Sequence, residues 1–559
     1  MTTPSTSSEN SSSVNIAMRL KQMAAAFPYK KAVIAPVGRD TSGRVAYAHL
    51  TFAQLDADSD RIAAGLKTVG IRRGMRTILM VRPCLDFFSL VFGLFKAGIV
   101  PVVVDPGMGL KRMLSCLAES QPQAFIGIPL AHVLRVTHPK AFKTVHTCVT
   151  VGRRWFWGGP TLNQVRLAGE GNFTMAKTGR NETAAILFTT GSTGPAKGVI
   201  YTHGNFDAQI QQIQDHFQIG PDEIDLPTFP LFALFDPALG MTAVIPDMDP
   251  TKPAFVNPKK IIEAVINHGV TNMFASPALL NRVGGYCQRK SIKLPPLRRV
   301  VSAGAPVHPS NIEQFSQALS EEAEIHTPYG ASEAVPIISI GSREILSETA
   351  KMTEQGFGNC VGRVLSNVTV QLIKITDIPI AEWSDDLPVP QGEPGEIVVK
   401  GAHVTAAYYN RPLDNALAKI QDDNGFWHRM GDLAWMDNQG RFWFIGRKSH
   451  RIVTEKQTLF TIPCEAIFNR HPDVARSALV GIGKPGNQVP VICVEVVKGK
   501  RINKKELKNE LLELAGSQKL TRPIKQVLFH DDFPVDIRHN SKIFRENLAV
   551  WAERKIRNT

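Results

Sequence analysis

A loop rich in glycine and hydroxyl residues, set between two apolar runs, most strongly constrains what this chain can fold into. It reads Phe188-Thr-Thr-Gly-Ser-Thr-Gly-Pro-Ala-Lys-Gly-Val199. The runs 184–188 and 199–203 predict two strands, the second leading into a helix from about Asn205. Glycines let a backbone approach an anion closely, and successive N–H groups and hydroxyls can surround phosphate oxygens. The loop therefore predicts a phosphate site in which Lys197 supplies the positive charge.

Two alternatives to this interpretation are a Walker A loop and a plain surface loop. A Walker A loop requires Gly-Lys-Ser/Thr at the start of a helix, whereas Ala196 precedes Lys197 here and Gly198 follows it. The plain surface loop is disfavoured, because it does not explain so many residues suited to phosphate binding between two strands. The stretch closely resembles the phosphate loop of the AMP-forming adenylating superfamily, which includes acyl-CoA synthetases, luciferases and the adenylation domains of peptide synthetases.

Length, cysteine usage and apolar runs limit the class of protein. A chain of 559 residues is too long to fold around a single hydrophobic core, so two or three domains are expected. The seven cysteines are scattered without a CxxC pair, which predicts reduced thiols, a cytoplasmic location and no structural zinc site. Residues 1–13 are Ser/Thr-rich without an apolar core and predict a disordered lead. The most apolar run, 87–104, contains Lys96 and Pro101, and so predicts a core helix and strand without a transmembrane segment.

The positive charge of the chain is unevenly placed. The net charge is +14, and from Arg447 onward 22 Lys/Arg face 12 Asp/Glu, a difference of +10. A basic surface can attract nucleic acid or anionic lipid. No nucleic-acid-binding motif accompanies it, so solvated helix faces that also attract ATP are the favoured interpretation, and no nucleic-acid partner is expected.

The order of the predicted elements indicates the fold class. Helical and strand patterns alternate over 14–182, which is typical of a largely parallel sheet covered by helices. Residues 392–401 and a hairpin with its turn at 437–440 predict a β-rich subdomain. We therefore expect an α/β protein with a large N-terminal adenylating domain, 14–446, that has mostly parallel sheets. A small, mobile α+β C-terminal domain, 447–559, would follow it.

Two further loops, which contain Gly304 and Tyr329, each follow a predicted short strand. Because ligands in open α/β sheets bind beyond the carboxyl ends of strands, both loops are candidates for a binding site. The resemblance to the adenylating superfamily covers nearly the whole chain and implies the site residues. Its phosphate loop comprises Thr189, Thr190, Gly191, Ser192, Thr193, Gly194 and Lys197. Its adenine-binding segments are Gly304, Ala305 and Pro306, and Tyr329, Gly330, Ala331 and Ser332, with the Tyr329 ring available for stacking. Glu333 is implied to bind Mg²⁺, Asp432 both ribose hydroxyls, and Arg447 ribose and phosphate.

A lysine near the C-terminus completes the implied catalytic set of Lys542, Lys197 and Glu333. The segment 534–545 resembles the family's C-terminal motif, whose lysine neutralises charge as a carboxylate attacks the α-phosphorus of ATP. Taken alone, a lysine in a basic tail would be a solvated surface residue.

Four departures from the family pattern bear on the acceptor of the acyl group. They are Ser449 at the hinge, Lys456 where the family has glycine, Ala233 where a larger residue often gates the acceptor tunnel, and Ser541 before the catalytic lysine. A lysine at 456 fills space through which pantetheine would pass, which argues against coenzyme A. A harmless substitution at Lys456 stays open as the alternative.

In these details the chain looks most like the β-lactone synthetases of bacterial long-chain olefin biosynthesis. This resemblance implies that ATP, with Mg²⁺, adenylates a long-chain 2-alkyl-3-hydroxy acid, whose own hydroxyl then closes a β-lactone and expels AMP. A thiolase-like condensing enzyme, a reductase and an α/β-hydrolase are the implied partners. The alternatives are a long-chain acyl-CoA ligase or acyl-AMP ligase and, from another class, a nucleotide-binding scaffold without catalysis.

The substrate pocket and the base for ring closure have only candidates. The candidate pocket residues are Phe229, Phe232, Phe235, Leu239 and Met241, with plain core packing as the alternative. His203 and His308 are candidates for the base that accepts the hydroxyl proton, with a structural role as the alternative.

Overall fold

The computed structural model describes residues 13–171, 173–189, 196–229, 232–535 and 543–557. The chain divides into two compact units. The first comprises Met1–Gly191, Pro195–Asp247 and Ala402–Pro412, and the second comprises Ser192–Gly194, Met248–Gly401 and Leu413–Thr559. The division at residue 447 inferred from the sequence remains a prediction.

The first unit contains helices and strands in alternation. Its helices are α1 (Met18–Ala26), α2 (Phe52–Thr68), α3 (Leu85–Lys96), α4 (Leu110–Glu119), α5 (Pro129–Thr137), α6 (Leu162–Ala168), α7 (His203–Phe217) and α8 (Phe235–Leu239). Its strands are β1 (Lys31–Arg39), β2 (Val45–Thr51), β3 (Arg76–Met80), β4 (Val100–Val104), β5 (Ala124–Gly127), β6 (Thr147–Thr150), β7 (Thr183–Thr189), β8 (Lys197–Thr202), β9 (Ile224–Pro227) and β10 (Thr242–Val244).

These strands form two ladders that are mostly parallel. One runs in the order β6-β5-β3-β4-β7-β8, and its pairs are parallel except for the antiparallel pair β7/β8. The other joins β9, β10 and β1 in parallel and adds β2 antiparallel to β1. The mostly parallel pairing agrees with the alternation of strands and helices predicted for residues 14–182.

The apolar run that could suggest a membrane segment forms α3 and β4 in the core. Lys96, at the end of α3, is completely buried, and its ammonium lies 2.5 Å from a carboxylate oxygen of Asp56 and 2.6 Å from one of Asp60. The paired charges let the lysine stay inside, since an unpaired buried charge is costly. Within the ranges that the structure describes, we find no helix with the length and apolar character needed to cross a bilayer.

The second unit contains a parallel ladder, a large antiparallel sheet and a small sheet near the C-terminus. Its helices are α9 (Pro258–His268), α10 (Pro277–Lys290), α11 (Pro309–Ser316), α12 (Ser342–Glu344), α13 (Ala350–Glu354), α14 (Pro412–Ala418), α15 (Thr461–Phe468), α16 (Lys504–Ser517) and α17 (Arg545–Arg557). Its first strands are β11 (Asn272–Ala275), β12 (Arg299–Ser302), β13 (Glu324–His326), β14 (Tyr329–Ala331), β15 (Ala334–Ser339), β16 (Asn359–Val364), β17 (Val368–Ile373) and β18 (Gly395–Gly401). Its later strands are β19 (Lys419–Asp422), β20 (Gly425–Met436), β21 (Phe442–Arg447), β22 (Ile452–Val453), β23 (Thr458–Leu459), β24 (Val474–Ile482), β25 (Val489–Val496) and β26 (Gln526–Phe529).

The sheets of the second unit place the candidate nucleotide residues at strand ends and hairpins. Strands β11, β12 and β13 pair in parallel. The antiparallel sheet has the order β14-β15-β16-β21-β20-β18-β17, with β19 paired to β20. Strands β24, β25 and β26 form a separate sheet with a core on each face. One core includes Cys464 of α15 and Leu511 of α16, and the other includes Leu548 of α17.

Candidate active site

The register of the β20/β21 hairpin brings two predicted ribose ligands together. Asp432 and Arg447 stand directly opposite each other on the two strands, and Arg447 Nη1 lies 2.9 Å from Asp432 Oδ1. Asp432 is only 3% exposed, and burial raises the pKa of its carboxyl while the Arg447 charge opposes that rise. Arg447 therefore helps to keep a buried carboxylate ionised.

The turn of this hairpin sets the register. The Asp437 side chain accepts hydrogen bonds from the backbone N–H groups of Gln439 and Arg441, both at 2.9 Å, and from the indole of Trp443 at 2.9 Å. Gly440 closes the turn with a φ of +73°, a conformation that suits glycine. The predicted turn at 437–440 thus determines which residues of β20 and β21 face each other.

Tyr329 joins this site from a strand more than a hundred residues earlier in the chain. Its hydroxyl donates a hydrogen bond of 2.6 Å to Asp432 Oδ2. Burial first, and then the negative charge of Asp432, raises the pKa of the Tyr329 hydroxyl, so the phenol stays protonated and remains a donor. The structure therefore gives Tyr329 a contact with the predicted ribose carboxylate that sequence reasoning missed, beside its predicted role of stacking on adenine.

Glu333, the predicted magnesium ligand, occupies a tight turn. Ala331 of β14 pairs with Ala334 of β15, so Ser332 and Glu333 form the connection between the two strands. A Cβ on Gly330 would lie 2.5 Å from the carbonyl oxygen of Ala334. The Tyr-Gly-Ala-Ser-Glu motif is therefore a hairpin whose glycine permits close approach of the strands and whose glutamate is presented at the tip.

A buried lysine that the sequence did not single out accompanies Glu333. Lys419 of β19 is 7% exposed, and its ammonium lies 4.9 Å from the ring centroid of Phe426. Burial lowers the pKa of Lys419 to about 7, and the negative charge of Glu333 opposes this shift. No motif surrounds Lys419 in the sequence, so its approach to the Glu333 hairpin depends entirely on how β19 packs.

The predicted adenine segment follows the carboxyl end of β12. Gly304 has a φ of +93°, which a residue with a side chain adopts only with strain. Ala305 is half-buried and Pro306 is exposed. Nearby, the buried Ser302 Oγ makes no hydrogen bond within the described residues. The segment thus supplies a turned backbone and one unsatisfied polar atom at the strand end where ligands of α/β sheets bind.

In the first unit, the frame of the predicted phosphate loop is an antiparallel pair. Thr189 at the end of β7 pairs with Lys197 at the start of β8. A Cβ on Gly198 would lie 2.7 Å from the ring of Phe188, so glycine is required there for close packing. The Lys197 ammonium lies 4.9 Å from the ring centroid of Tyr408. Helix α7 begins at His203, two residues before the predicted start, because Thr202 and Asn205 form a capping box.

Some predicted site residues lie outside the described residues. They are Thr190, Gly191, Ser192, Thr193, Gly194 and Lys542, together with Ser541 and the side chain of Thr189. Their roles remain predictions from the sequence.

The two candidate histidine bases have structural partners. His203 is buried, its Nδ1 accepts a hydrogen bond of 3.2 Å from the backbone N–H of Ile16, and burial lowers its pKa to about 4. His308 caps helix α11, since its Nδ1 accepts from the backbone N–H of Ser310 at 3.3 Å. Both contacts favour the structural role that was the alternative for these residues.

The candidate pocket residues fall into two groups. Leu239 and Met241 are 4% and 1% exposed and belong to the core. The rings of Phe229, Phe232 and Phe235 are half-buried and form a chain, with centroids 5.4 Å and 6.4 Å apart. The three phenylalanines are thus the members of the set with surface that an acyl chain could contact.

Comparison with known proteins decides the family. The family model described as AMP-binding enzyme matches residues 20–409. The chain belongs to the AMP-binding enzyme family. It is also 47% identical over 546 residues to an olefin beta-lactone synthetase of Xanthomonas campestris, covering 96% of this chain and 97% of that protein. An olefin beta-lactone synthetase of Stenotrophomonas maltophilia is 46% identical, covering 97% of this chain and 98% of the relative.

A solved structure shares the fold of this AMP-binding enzyme. The amide bond synthetase McbA from Marinactinospora thermotolerans is 20% identical, with a TM-score of 0.77 and coverage of 96% of this chain and 99% of that chain. The predicted α/β fold class is confirmed. The predicted AMP-forming, acid-adenylating class of enzyme and the resemblance to β-lactone synthetases are confirmed as well.

The residues present fit ATP and its magnesium ion. Asp432 Oδ1 makes no hydrogen bond within the described residues, although it is ion-paired with Arg447, and so remains able to accept one from a ribose hydroxyl. Among the described residues no three His, Cys, Asp or Glu side chains cluster to hold a metal by themselves. Mg²⁺ is commonly bound by one or two carboxylates plus substrate phosphates, and Glu333 supplies one such carboxylate.

Proposed function

We propose that this AMP-binding enzyme converts a long-chain 2-alkyl-3-hydroxy acid into a β-lactone through an acyl-adenylate. The observation that carries the proposal is the identity of 47% and 46%, over nearly the whole chain, to two olefin beta-lactone synthetases. A feruloyl-CoA synthase of Amycolatopsis is 26% identical. The higher similarity favours cyclisation over thioester formation.

In the first step, a carboxylate oxygen of the substrate attacks the α-phosphorus of ATP and pyrophosphate leaves. Asp432 and Arg447 hold the ribose, and Tyr329 orients Asp432 and offers its ring to adenine. The resemblance to the superfamily assigns the phosphates to the Thr189–Gly194 loop and Lys197. Glu333 would hold Mg²⁺, which would supply positive charge beside the phosphates. Lys542 stabilises the charge that develops at the α-phosphate, and placing a cation there is a major catalytic contribution.

In the second step, the β-hydroxyl oxygen of the same substrate attacks the acyl carbonyl carbon. The new C–O bond closes the four-membered ring, the bond from the carbonyl carbon to the AMP oxygen breaks, and the hydroxyl proton leaves to a base. Because the step is unimolecular, holding the hydroxyl close to the carbonyl is the main task of the site. The acyl-adenylate supplies the free energy that offsets ring strain.

The loop that carries Lys456 bears on the acceptor. The backbone N–H of Lys456 donates to Thr454 Oγ1 at 3.3 Å, the Thr454 N–H donates to the Gln457 carbonyl at 3.0 Å, and the Lys456 side chain is exposed. We infer that this turn closes without glycine and that Lys456 occupies the path that pantetheine would need.

We place the moving part of the cycle in residues 447–559, which would turn about Ser449 to bring Lys542 to the nucleotide. Lys448, next to Ser449, is ion-paired with Glu396 at 2.9 Å, and Arg451 is ion-paired with Asp377. These pairs join the segment around Ser449 to residues before it, and rotation would have to exchange them.

Product analysis tests the proposed reaction. Purified enzyme with Mg-ATP and a 2-alkyl-3-hydroxy acid should give β-lactone, AMP and pyrophosphate in equal amounts, with or without coenzyme A. The same acid lacking the hydroxyl should release pyrophosphate once per enzyme and stop at the acyl-adenylate. A thioester formed only with coenzyme A would show instead that the enzyme is a ligase.

Lys456→Gly separates the two acceptors further. If Lys456 excludes pantetheine, the variant should keep lactone formation and gain a measurable thioester product with coenzyme A. If the variant behaves as the wild type, the lysine is a harmless substitution, and the preference for cyclisation has another cause.

We also propose a cytoplasmic location and an assembly with the enzymes that make and consume the substrate and product: a thiolase-like condensing enzyme, a reductase and an α/β-hydrolase. The chemistry supports this, because a β-hydroxy acid arises by condensation and reduction and a strained lactone is reactive. Co-expression and size-exclusion chromatography test it. Co-elution of the chain with these enzymes is expected, and separate elution at every ionic strength would contradict it.

A further inference from the structure

One loop of the first unit exposes large aromatic rings beside arginines. Trp155 and Phe156 are 53% and 74% exposed, and Arg153 and Arg154 directly before them are exposed as well. Adjacent exposed rings of this size leave apolar area in water, and contiguous apolar area on a surface commonly marks an interaction site.

Buried contacts of Trp157 hold the loop 153–157 in place. Trp157 is buried, its ring stacks on His132 of α5 with centroids 4.9 Å apart, and its indole N–H donates to Thr150 Oγ1 at 2.9 Å. The ring centroids of Trp155 and Phe156 lie 5.4 Å and 5.0 Å from that of Trp157. The exposure of the two rings therefore belongs to an anchored conformation of the loop.

Helix α5 extends the exposed apolar surface. Leu130 and Val136 on this helix are 64% and 43% exposed, and His132 between them connects the helix to the aromatic loop through Trp157. Lys140 and Lys143, which follow the helix, are exposed. Apolar and basic side chains thus occur together on α5, on the segment 138–143 after it and on the loop 153–157, which together we call the aromatic-basic surface.

The stretch of sequence that forms this surface carries charged side chains of one sign. The sequence contains no Asp or Glu between Glu119 and Glu170, but it contains Arg135, Lys140, Lys143, Arg153, Arg154 and Arg166. Arg166 is neutralised from outside this stretch by Asp58 and Asp86, at 2.8 Å and 2.6 Å. Glu119, the last acidic residue before this stretch, is ion-paired with Arg411 at 2.6 Å. Within the described residues, the other five basic side chains have no ion-pair partner, so they give the surface a net positive charge.

We propose that the aromatic-basic surface docks the protein on an anionic lipid bilayer. Trp and Phe rings enter the boundary between headgroups and acyl chains, where amphipathic rings are favoured, while the arginines and lysines contact lipid phosphates. A bilayer supplies extended negative charge and an apolar layer without a matching pocket, which suits exposed side chains on an irregular loop. An acidic protein is the competing occupant. The inference goes beyond the proposed function and does not depend on it.

Flotation with vesicles tests the docking. The full-length chain is mixed with vesicles of phosphatidylcholine alone or with added phosphatidylglycerol, at low and high salt. We expect binding to the anionic vesicles that weakens as salt rises. Trp155→Ser with Phe156→Ser should weaken partitioning roughly tenfold or more, because the apolar insertion is lost. Arg153→Gln with Arg154→Gln should weaken it about fivefold per arginine at low salt, which corresponds to about 1 kcal/mol per basic residue near an anionic surface.

A matched control separates this surface from exposed apolar residues in general. Phe255 is 76% exposed on the second unit, and Phe255→Ser should bind vesicles as the wild type does. All variants should release pyrophosphate at the wild-type rate, which shows that they are folded. Absence of vesicle binding, or binding that the loop substitutions leave unchanged, would overturn the proposal. Loss of an acidic protein partner in the loop variants without any vesicle binding would overturn it in favour of a protein interface.

Discussion

Two buried aspartates in this molecule have opposite surroundings. Asp432, in the second unit, is 3% exposed and has Arg447 Nη1 at 2.9 Å and the Tyr329 hydroxyl at 2.6 Å. Asp236, in the first unit, is 5% exposed and its carboxyl interacts with that of another acid, Asp225. Burial raises the pKa of both carboxyls.

The two sites differ in the neighbours that oppose or add to the effect of burial on the carboxyl pKa. At Asp432, the Arg447 charge and the Tyr329 hydrogen bond pull the pKa back down. At Asp236, the charge of Asp225 and a hydrogen bond with it push the pKa further up. Two carboxylates in contact cannot both ionise, so the Asp225–Asp236 pair retains a proton. Asp432 is thus suited to accept hydrogen bonds from a ligand, and the acid pair to hold α8 against β9.

The most disruptive test of this comparison is Asp432→Ala. If Asp432 accepts both ribose hydroxyls, kcat/KM for ATP should fall by at least about a hundredfold, because each hydrogen bond to a charged group contributes about 1.5–3 kcal/mol. ATP-dependent pyrophosphate release measures the loss. The exposed Asp386→Ala, whose carboxylate pairs with Lys374 at the surface, should retain wild-type activity. A similar loss in both variants would contradict a specific role for Asp432.

Arg447→Gln tests the part of the comparison that concerns charge. Removing the cation should lower kcat/KM about tenfold or more. The variant should also raise the pKa of Asp432 further, so the acid limb of the pH–rate profile should move to higher pH. An unshifted limb would mean that Arg447 does not govern the ionisation of Asp432.

Tyr329→Phe removes one hydrogen bond and keeps the ring. The loss of the 2.6 Å contact with Asp432 should lower kcat/KM for ATP by about tenfold. Tyr329→Ala, which also removes the ring, should cost more if the ring stacks on adenine. Equal effects of the two substitutions in the same pyrophosphate assay would exclude stacking.

Asp236→Asn addresses the acid pair and should have the smallest effect, confined to stability. The native pKa of Asp236 lies above its unfolded value, so its contribution to stability is present at acid pH and is lost as pH rises through the native pKa. The loss is about 1.4 kcal/mol for each unit of pKa difference. The asparagine variant does not lose this stability as pH rises. The difference between its melting temperature and that of the wild type should therefore shift in favour of the variant from pH 5 to pH 8. A constant difference would show that the pair does not titrate, and wild-type activity should persist at both pH values.

Much of the local structure was predictable from the sequence. The sequence places the loop 188–199 between two strands, which are β7 and β8 in the structure. The apolar pattern predicts the start of the next helix two residues too late, because it does not include the local signal of the Thr202–Asn205 capping box. The hairpin with its turn at 437–440 was also expected, since Asp and Gly in a short polar stretch between apolar runs favour a turn.

The sequence names candidate site residues one by one but does not predict their contacts. Motif order identifies Tyr329, Glu333, Asp432 and Arg447 one at a time, and nothing in their spacing shows that Tyr329 binds Asp432. Lys419 and the Asp225–Asp236 pair have no motif at all. Their chemistry arises from burial and from neighbours distant in sequence, and both depend on how the sheets pack.

The amino-acid sequence by itself determined the family, the alternation of strands and helices, and the turn at 437–440 that sets the register of the β20/β21 hairpin, because these depend on short-range patterns of glycine, polar and apolar residues. Only the tertiary structure decided which carboxyls are buried, which cation or acid lies beside each, and which aromatic rings remain in solvent. Electrostatic interactions strengthen steeply as water is excluded, so a buried aspartate is favoured as an anion beside a cation and as a protonated acid beside a second carboxyl.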